Sequence, residues 1–202
     1  LIEARSIFGT LGCALLVLPI LLALLQVRRF SKPRVRAAVA LGIAVALLVP
    51  LGSFAAAEYV RSVTGDVSAS TLALAWSACA ARVTGRNPID WREQRALCGL
   101  LGVAAASLYP CALGLTPFDP YGLGYGSPTF LTVLALIALS AWRARLQVVA
   151  LVVVVAVCAF SLGVYDSRNL WDYLIDPLGC GFALVHLARS AFRRSLSPVP
   201  TA

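Results

Sequence analysis

The sequence predicts an all-α fold: a bundle of about seven membrane-crossing helices, N-terminus outside and C-terminus in the cytoplasm. Three observations lead there. The 202 residues are 60% hydrophobic and 13% charged, with a mean hydropathy of +0.86, whereas a soluble domain is about one-quarter charged. Apolar runs recur near the length of about 20 residues that a helix needs to cross a bilayer core of about 30 Å. Basic residues collect in alternate loops, as cytoplasmic segments do. The same composition sets aside a secreted disulfide scaffold, a nucleic-acid-binding domain and a disordered chain, because a small water-soluble globule cannot hide so much apolar surface.

The runs read as spans cover 6–27, 36–57, 67–81, 96–115, 128–142, 146–164 and 177–192. The first is too long, and too soon followed by a basic loop, for a cleaved signal peptide. Pro19, Pro50 and Pro110 fall within spans one, two and four. Each removes a backbone donor, and in lipid the freed carbonyl needs a protein neighbour. The second span carries a small-residue stripe, Ala38, Gly42 and Ala46, and the fourth carries Cys98, Gly102 and Ala106. Such stripes let helix backbones approach closely, within the bundle or against a partner.

The third span is short, and charge decides whether it crosses. With seven spans and the N-terminus outside, the cytoplasmic loops hold Arg28, Arg29, Lys32, Arg34, Arg36, Arg82, Arg86, Arg92, Arg95, Arg143, Arg145, Arg189, Arg193 and Arg194. That is 14 of the 17 basic residues. Without a third crossing, every later loop changes sides, leaving the first five plus Arg168 inside and 11 outside. Seven spans therefore fit better, and the net charge of +8 becomes an orientation signal rather than a nucleic-acid footprint. The fifth span is also short, and the sixth is the Val-rich run. The seventh opens at Asp176-Pro177, an N-cap followed by a first-turn proline, and meets Arg189. Residues 1–194 form one helical domain, and 195–202 read as a flexible cytoplasmic tail.

Absences narrow the function. The one lysine, Lys32, lies in a cytoplasmic loop, so no Schiff-base lysine stands in the bundle of a retinal protein. One histidine and no methionine leave this chain alone without the common haem ligand pairs. Walker, Rossmann and His-Glu-x-x-His motifs are missing, as is the Asp-x-x-Asp-Gly signature of the CDP-alcohol phosphotransferases. Six cysteines are scattered without metal spacing. The glycines of Gly122-x-Gly124-x-Gly126 read as turn chemistry. No cofactor is expected.

Chemistry concentrates in two outer loops, 116–128 and 165–177. Asp119, Asp166, Asp172 and Asp176 lie there with Arg168, Asn169, Tyr121, Tyr125, Tyr165, Trp171 and Tyr173. As plain structure, 169–175 forms a short interfacial helix with Trp171 and Leu174 on lipid and an Arg168–Asp172 pair at i, i+4. As a site, the four carboxylates converge on a divalent cation, Arg168 holds a phosphate, and the rings flank a lipid headgroup or sugar. As a docking face, Tyr121, Tyr125, Asn169, Trp171 and Tyr173 meet a partner, since aromatic and Arg anchors dominate interface energetics.

The span interiors, with His186 and a few serines, look too apolar for transport. The expected function is therefore a non-catalytic accessory or scaffold subunit of an inner-membrane complex, in contact with lipids and with a membrane-protein partner or further copies of itself. The alternative is a transferase or hydrolase acting on a lipid-linked substrate at the outer leaflet. A small-solute transporter ranks third.

Overall fold

The computed structural model describes residues 2–195 except Leu51 and Thr116; the predicted tail beyond Ser195 lies outside the described residues. All nine α-helices and no named strand occur among them. Long helices form where the apolar runs lie: α1 (Ile2–Leu24), α2 (Pro33–Leu48), α4 (Ala69–Thr84), α5 (Trp91–Ala112), α6 (Pro128–Arg143), α7 (Gln147–Leu162) and α9 (Pro177–Ser195). Two short helices, α3 (Ala56–Thr64) and α8 (Leu170–Leu174), lie between them. Two helical segments, Arg5–Leu24 and Trp91–Ala112, are long and apolar enough to cross a membrane; Pro128–Arg143 and Gln147–Leu162 are shorter apolar helices.

The second span corrects the sequence reading. The run 36–57 is not one helix, because α2 stops at Leu48 and Pro50 pairs with Ala55 in an isolated bridge. Pro50 therefore ends a helix instead of kinking one, since the residue before a proline is pushed out of the helical region. Pro19 and Pro110 do lie inside α1 and α5. The chain restarts as the amphipathic α3, with the Glu58 carboxylate accepting from Ala55 N–H at 2.7 Å.

Helix starts follow local chemistry. Ser68 caps α4, Asp90 caps α5 through Glu93 N–H at 2.8 Å, and prolines open α2 and α6. Gly85 and Gly163 end α4 and α7 in the left-handed conformation, which costs glycine least.

Two cores result. Cys13, Leu18 and Leu22 of α1 pack with Ala40 and Leu47 of α2, Ala57 of α3 and Val67. The larger core joins Leu97, Leu101 and Leu108 of α5 to Val152, Val153 and Ala156 of α7, Phe130 of α6, Tyr173 of α8 and Ala183 of α9. Helix α4 bridges them, touching α1 and α2 on one side and α7 and α9 on the other.

Polar ties gather the loops at two opposite ends. At one, Arg28 donates to Ala81 O at 3.2 Å and Arg92 to Ala144 O at 3.1 Å. There the buried Glu93 also accepts from Val148 N–H at 3.1 Å, pairing a donor that the first turn of α7 leaves open. At the other, Arg5 donates to Gly163 O at 2.9 Å and Tyr165 to Val67 O at 2.8 Å. Between the ends, large apolar side chains face outward, among them Leu41, Val103, Leu136 and Leu151.

Candidate functional site at the loop-rich end

The turn after α5 is built by Asp119, whose Oδ1 accepts from Tyr121 N–H at 3.0 Å and Gly122 N–H at 3.3 Å, a side-chain mimic of a backbone turn. It sets up a single 3-10 turn, Tyr121–Gly124. Asn169 then locks this turn to α8. Its Nδ2 donates to Tyr121 O at 2.9 Å, while its Oδ1 caps α8 through Trp171 N–H at 3.0 Å. The Trp171 indole donates to Pro120 O at 2.9 Å, and its ring lies 4.5 Å from that of Phe130.

Two sequence expectations are overturned here. Trp171 is half-buried and Leu174 is buried, so both turn into the bundle instead of lying on its outer surface. The Arg168–Asp172 pair does not form, because α8 begins only at Leu170 and residues 168 and 172 do not share a helical turn. Arg168 is exposed and joins no ion pair among the described residues. Asp172 instead accepts from the Tyr121 hydroxyl at 3.0 Å and from the Ser167 hydroxyl.

The remaining carboxylates part company. Asp176 is buried and joins two helix starts: Oδ2 accepts from Ser68 N–H at 3.0 Å and Ser68 Oγ–H at 2.7 Å, and Oδ1 from Gly179 N–H at 2.7 Å. It thus serves the open donors of α4 and α9 together. Asp166 pairs with Arg61 at 3.3 Å, and Arg61 binds Asp66 more closely, at 2.7 Å. The hydrogen bond that Arg61 donates to Asp66 is the main cause that raises the already high pKa of Arg61. The predicted four-aspartate cation site is therefore not assembled. Among the described residues, no group of three His, Cys, Asp or Glu side chains converges to hold a metal.

Two hollows lie at this end. A cleft of about 530 Å³ is lined by Arg61, Asp66, Asp166, Glu58, Tyr59 and Phe54. A second, of about 350 Å³, is lined by Asp66, Asp172, Asp176, Tyr109, Tyr121 and Tyr165 among others. Arg61, Asp66, Ser68 and Tyr109 were not expected as site residues. Their one signal is that Arg61 and Asp66 are charges flanking the predicted third span.

Three of the tyrosines are held in the protonated form. Burial, and then the charge of Asp172, pushes the Tyr121 phenol up to about 12. Burial, and then Asp66, pushes Tyr165 up to about 12. Burial raises Tyr173 also; its ring stacks on Tyr165 at 4.9 Å and its hydroxyl accepts from Tyr165 N–H at 3.1 Å. All three are neutral hydrogen-bonding groups at physiological pH. Tyr125 is exposed, with its ring edge-on to Tyr121 at 5.9 Å.

The two small-residue stripes separate. Cys98 is fully buried, and a Cβ placed on Gly102 would meet Leu187 of α9 at 3.4 Å, so that stripe is internal as far as Gly102; Ala106 is exposed. Ala38, Gly42 and Ala46 are all exposed, and a Cβ on Gly42 would meet nothing within 4 Å. All six cysteines are free thiols.

No protein-family model, curated protein or solved structure matches this chain. The arrangement of its own residues therefore carries the functional argument.

Proposed function

We propose that the chain is a multi-pass protein of a bacterial inner membrane, with seven crossings, that serves as a non-catalytic accessory or scaffold subunit of a membrane complex. The observation that carries the reading is the outward-facing seam of Ala38, Gly42 and Ala46 on α2, exposed and uncovered among the described residues. In lipid, where apolar burial alone does not hold helices together, close backbone approach at such a seam favours a partner helix. The exposed apolar belt supports the membrane setting, since it far exceeds the scattered single residues normal on a soluble surface. Loops meeting at alternate ends support the crossings. The 16-residue helices α2, α4, α6 and α7 are about 24 Å long at 1.5 Å per residue, a mismatch that local thinning accommodates.

The loop-rich end supports a binding or bracing role over catalysis. Asp119 holds a turn, Asp176 joins two helix starts, Asp172 accepts from the Tyr121 hydroxyl, and Asp166 is paired with Arg61. One observation favours the enzyme reading: the 350 Å³ hollow brings Asp172 beside Tyr121, where a hydroxyl-rich head of a lipid-linked substrate fits. Under that reading, Asp172→Asn abolishes turnover while the fold persists.

The subunit reading is tested at Gly42. In Gly42→Leu, the thermal midpoint of the purified protein stays as in the wild type. The complex drawn from the native membrane in gentle detergent falls to the mass of the single chain by native mass spectrometry. Gly102→Leu, pressed against Leu187, lowers the midpoint instead. A Gly42→Leu protein that keeps the wild-type complex, or a wild type that emerges as a lone chain, contradicts the reading.

A further inference from the structure

Helices α5 and α6 are consecutive, yet each packs on α7 and they leave a furrow between them. Its volume is about 200 Å³. Val152 and Val153 of α7 form its buried floor, Val103 and Val133 its exposed lips, and Trp171 one end. Three of its described lining residues carry polar side-chain atoms, and each is already bonded: Ser70 to Leu174 O, Ser107 to Ala104 O, and the Trp171 indole to Pro120 O. Such a hollow offers water no partner and stays dry. Its lining matches a hydrocarbon in polarity.

Size decides which hydrocarbon. One turn of a helix about 10 Å wide and 5.4 Å tall fills about 400 Å³, twice the furrow, so a partner helix does not seat in it. A 150 Å³ apolar cavity takes a benzene ring; scaled by carbon count, this one takes a stretch of roughly eight carbons. The lips open sideways between two helices, so a chain enters from the hydrocarbon layer without crossing water. We infer that this furrow binds one fatty acyl chain of a bilayer phospholipid as a resident lipid. The inference rests on the membrane reading above and adds a ligand to it.

The test uses a protein in which Trp76, Trp91 and Trp142 are replaced by Phe, leaving Trp171 as the fluorophore. In lipid-free detergent it is titrated with phosphatidylcholine brominated in the upper part of its acyl chains. Quenching is expected to saturate at about one lipid per protein. Ala104→Phe, which fills the furrow from α5, weakens the binding by about tenfold, roughly 1.4 kcal/mol, with the thermal midpoint kept. If that variant does not fold, Val133→Phe at the lip gives the same readout. Quenching that fails to saturate, or that both fillings leave unchanged, overturns the proposal. Displacement by a polyprenyl phosphate but not by unbrominated phosphatidylcholine overturns the acyl assignment. The membrane reading fails separately: alkaline carbonate then strips the protein from its membrane without detergent.

Discussion

Asp176→Ala destabilises the protein by about 3–5 kcal/mol, because each buried donor left without an acceptor costs about 1–3 kcal/mol and the lost N-cap is part of that total. The donors left behind are Ser68 N–H and Gly179 N–H, while Ser68 Oγ–H loses its shortest acceptor. Ser68 is fully buried, so its N–H does not reach bulk water once the carboxylate is gone. Ser68 also bonds to the hydroxyls of Ser70 and Thr71, so the loss spreads through the start of α4. Thermal unfolding in detergent is expected to show a midpoint lower by on the order of 10 °C, taking about 2–4 °C per kcal/mol for a chain of this size. Asp176→Asn keeps an acceptor for Gly179 N–H and falls between the two. A midpoint unchanged in Asp176→Ala removes the assigned role of Asp176 as the tie between α4 and α9.

Gly124→Ala is the second damaging change, expected to cost about 2–4 kcal/mol from overpacking and a lost helix cap. Gly124 is buried in the turn after Pro120, and a Cβ there overlaps the Asn169 carboxamide and crowds the Trp171 ring. Asn169 is itself 1% exposed and has no free space to retreat into. Displacing it breaks the bond to Tyr121 O and the cap on α8 together. The variant therefore loosens both loops at once. Trp171 reports it: its emission shifts to the red as Phe130 and Pro120 let go of the indole. Gly126→Ala is the contrast within the same turn. Nothing lies within 4 Å of its Cβ, and its cost is limited to the strain of φ 86°.

Helix positions were readable because long apolar runs leave the backbone little alternative to helix, and Asp90, Asp176 and the opening prolines mark starts. Helix α3 was hidden because Ala55, Ala56 and Ala57 extend the apolar run of α2 without a break in composition, although Pro50 stands between them. The loop carboxylates were visible as residues but not as partners. Asp176 finds Ser68 at a separation of 108 residues, Asp166 finds Arg61 at 105, and Asp172 finds Tyr121 at 51. No local pattern encodes such pairings. The two small-residue stripes look alike along the chain, and only tertiary packing turns Cys98 and Gly102 inward and Gly42 outward.

The most direct measurement is topology mapping with paired reporters, alkaline phosphatase for the outside and a fluorescent protein for the cytoplasm, fused after Asn87, Gly122, Arg145 and Asn169. Seven crossings predict phosphatase activity after Gly122 and Asn169, and fluorescence after Asn87 and Arg145. If α4 stays on one side, all four fusions from Asn87 onward report the opposite side, and the proposed membrane arrangement is wrong.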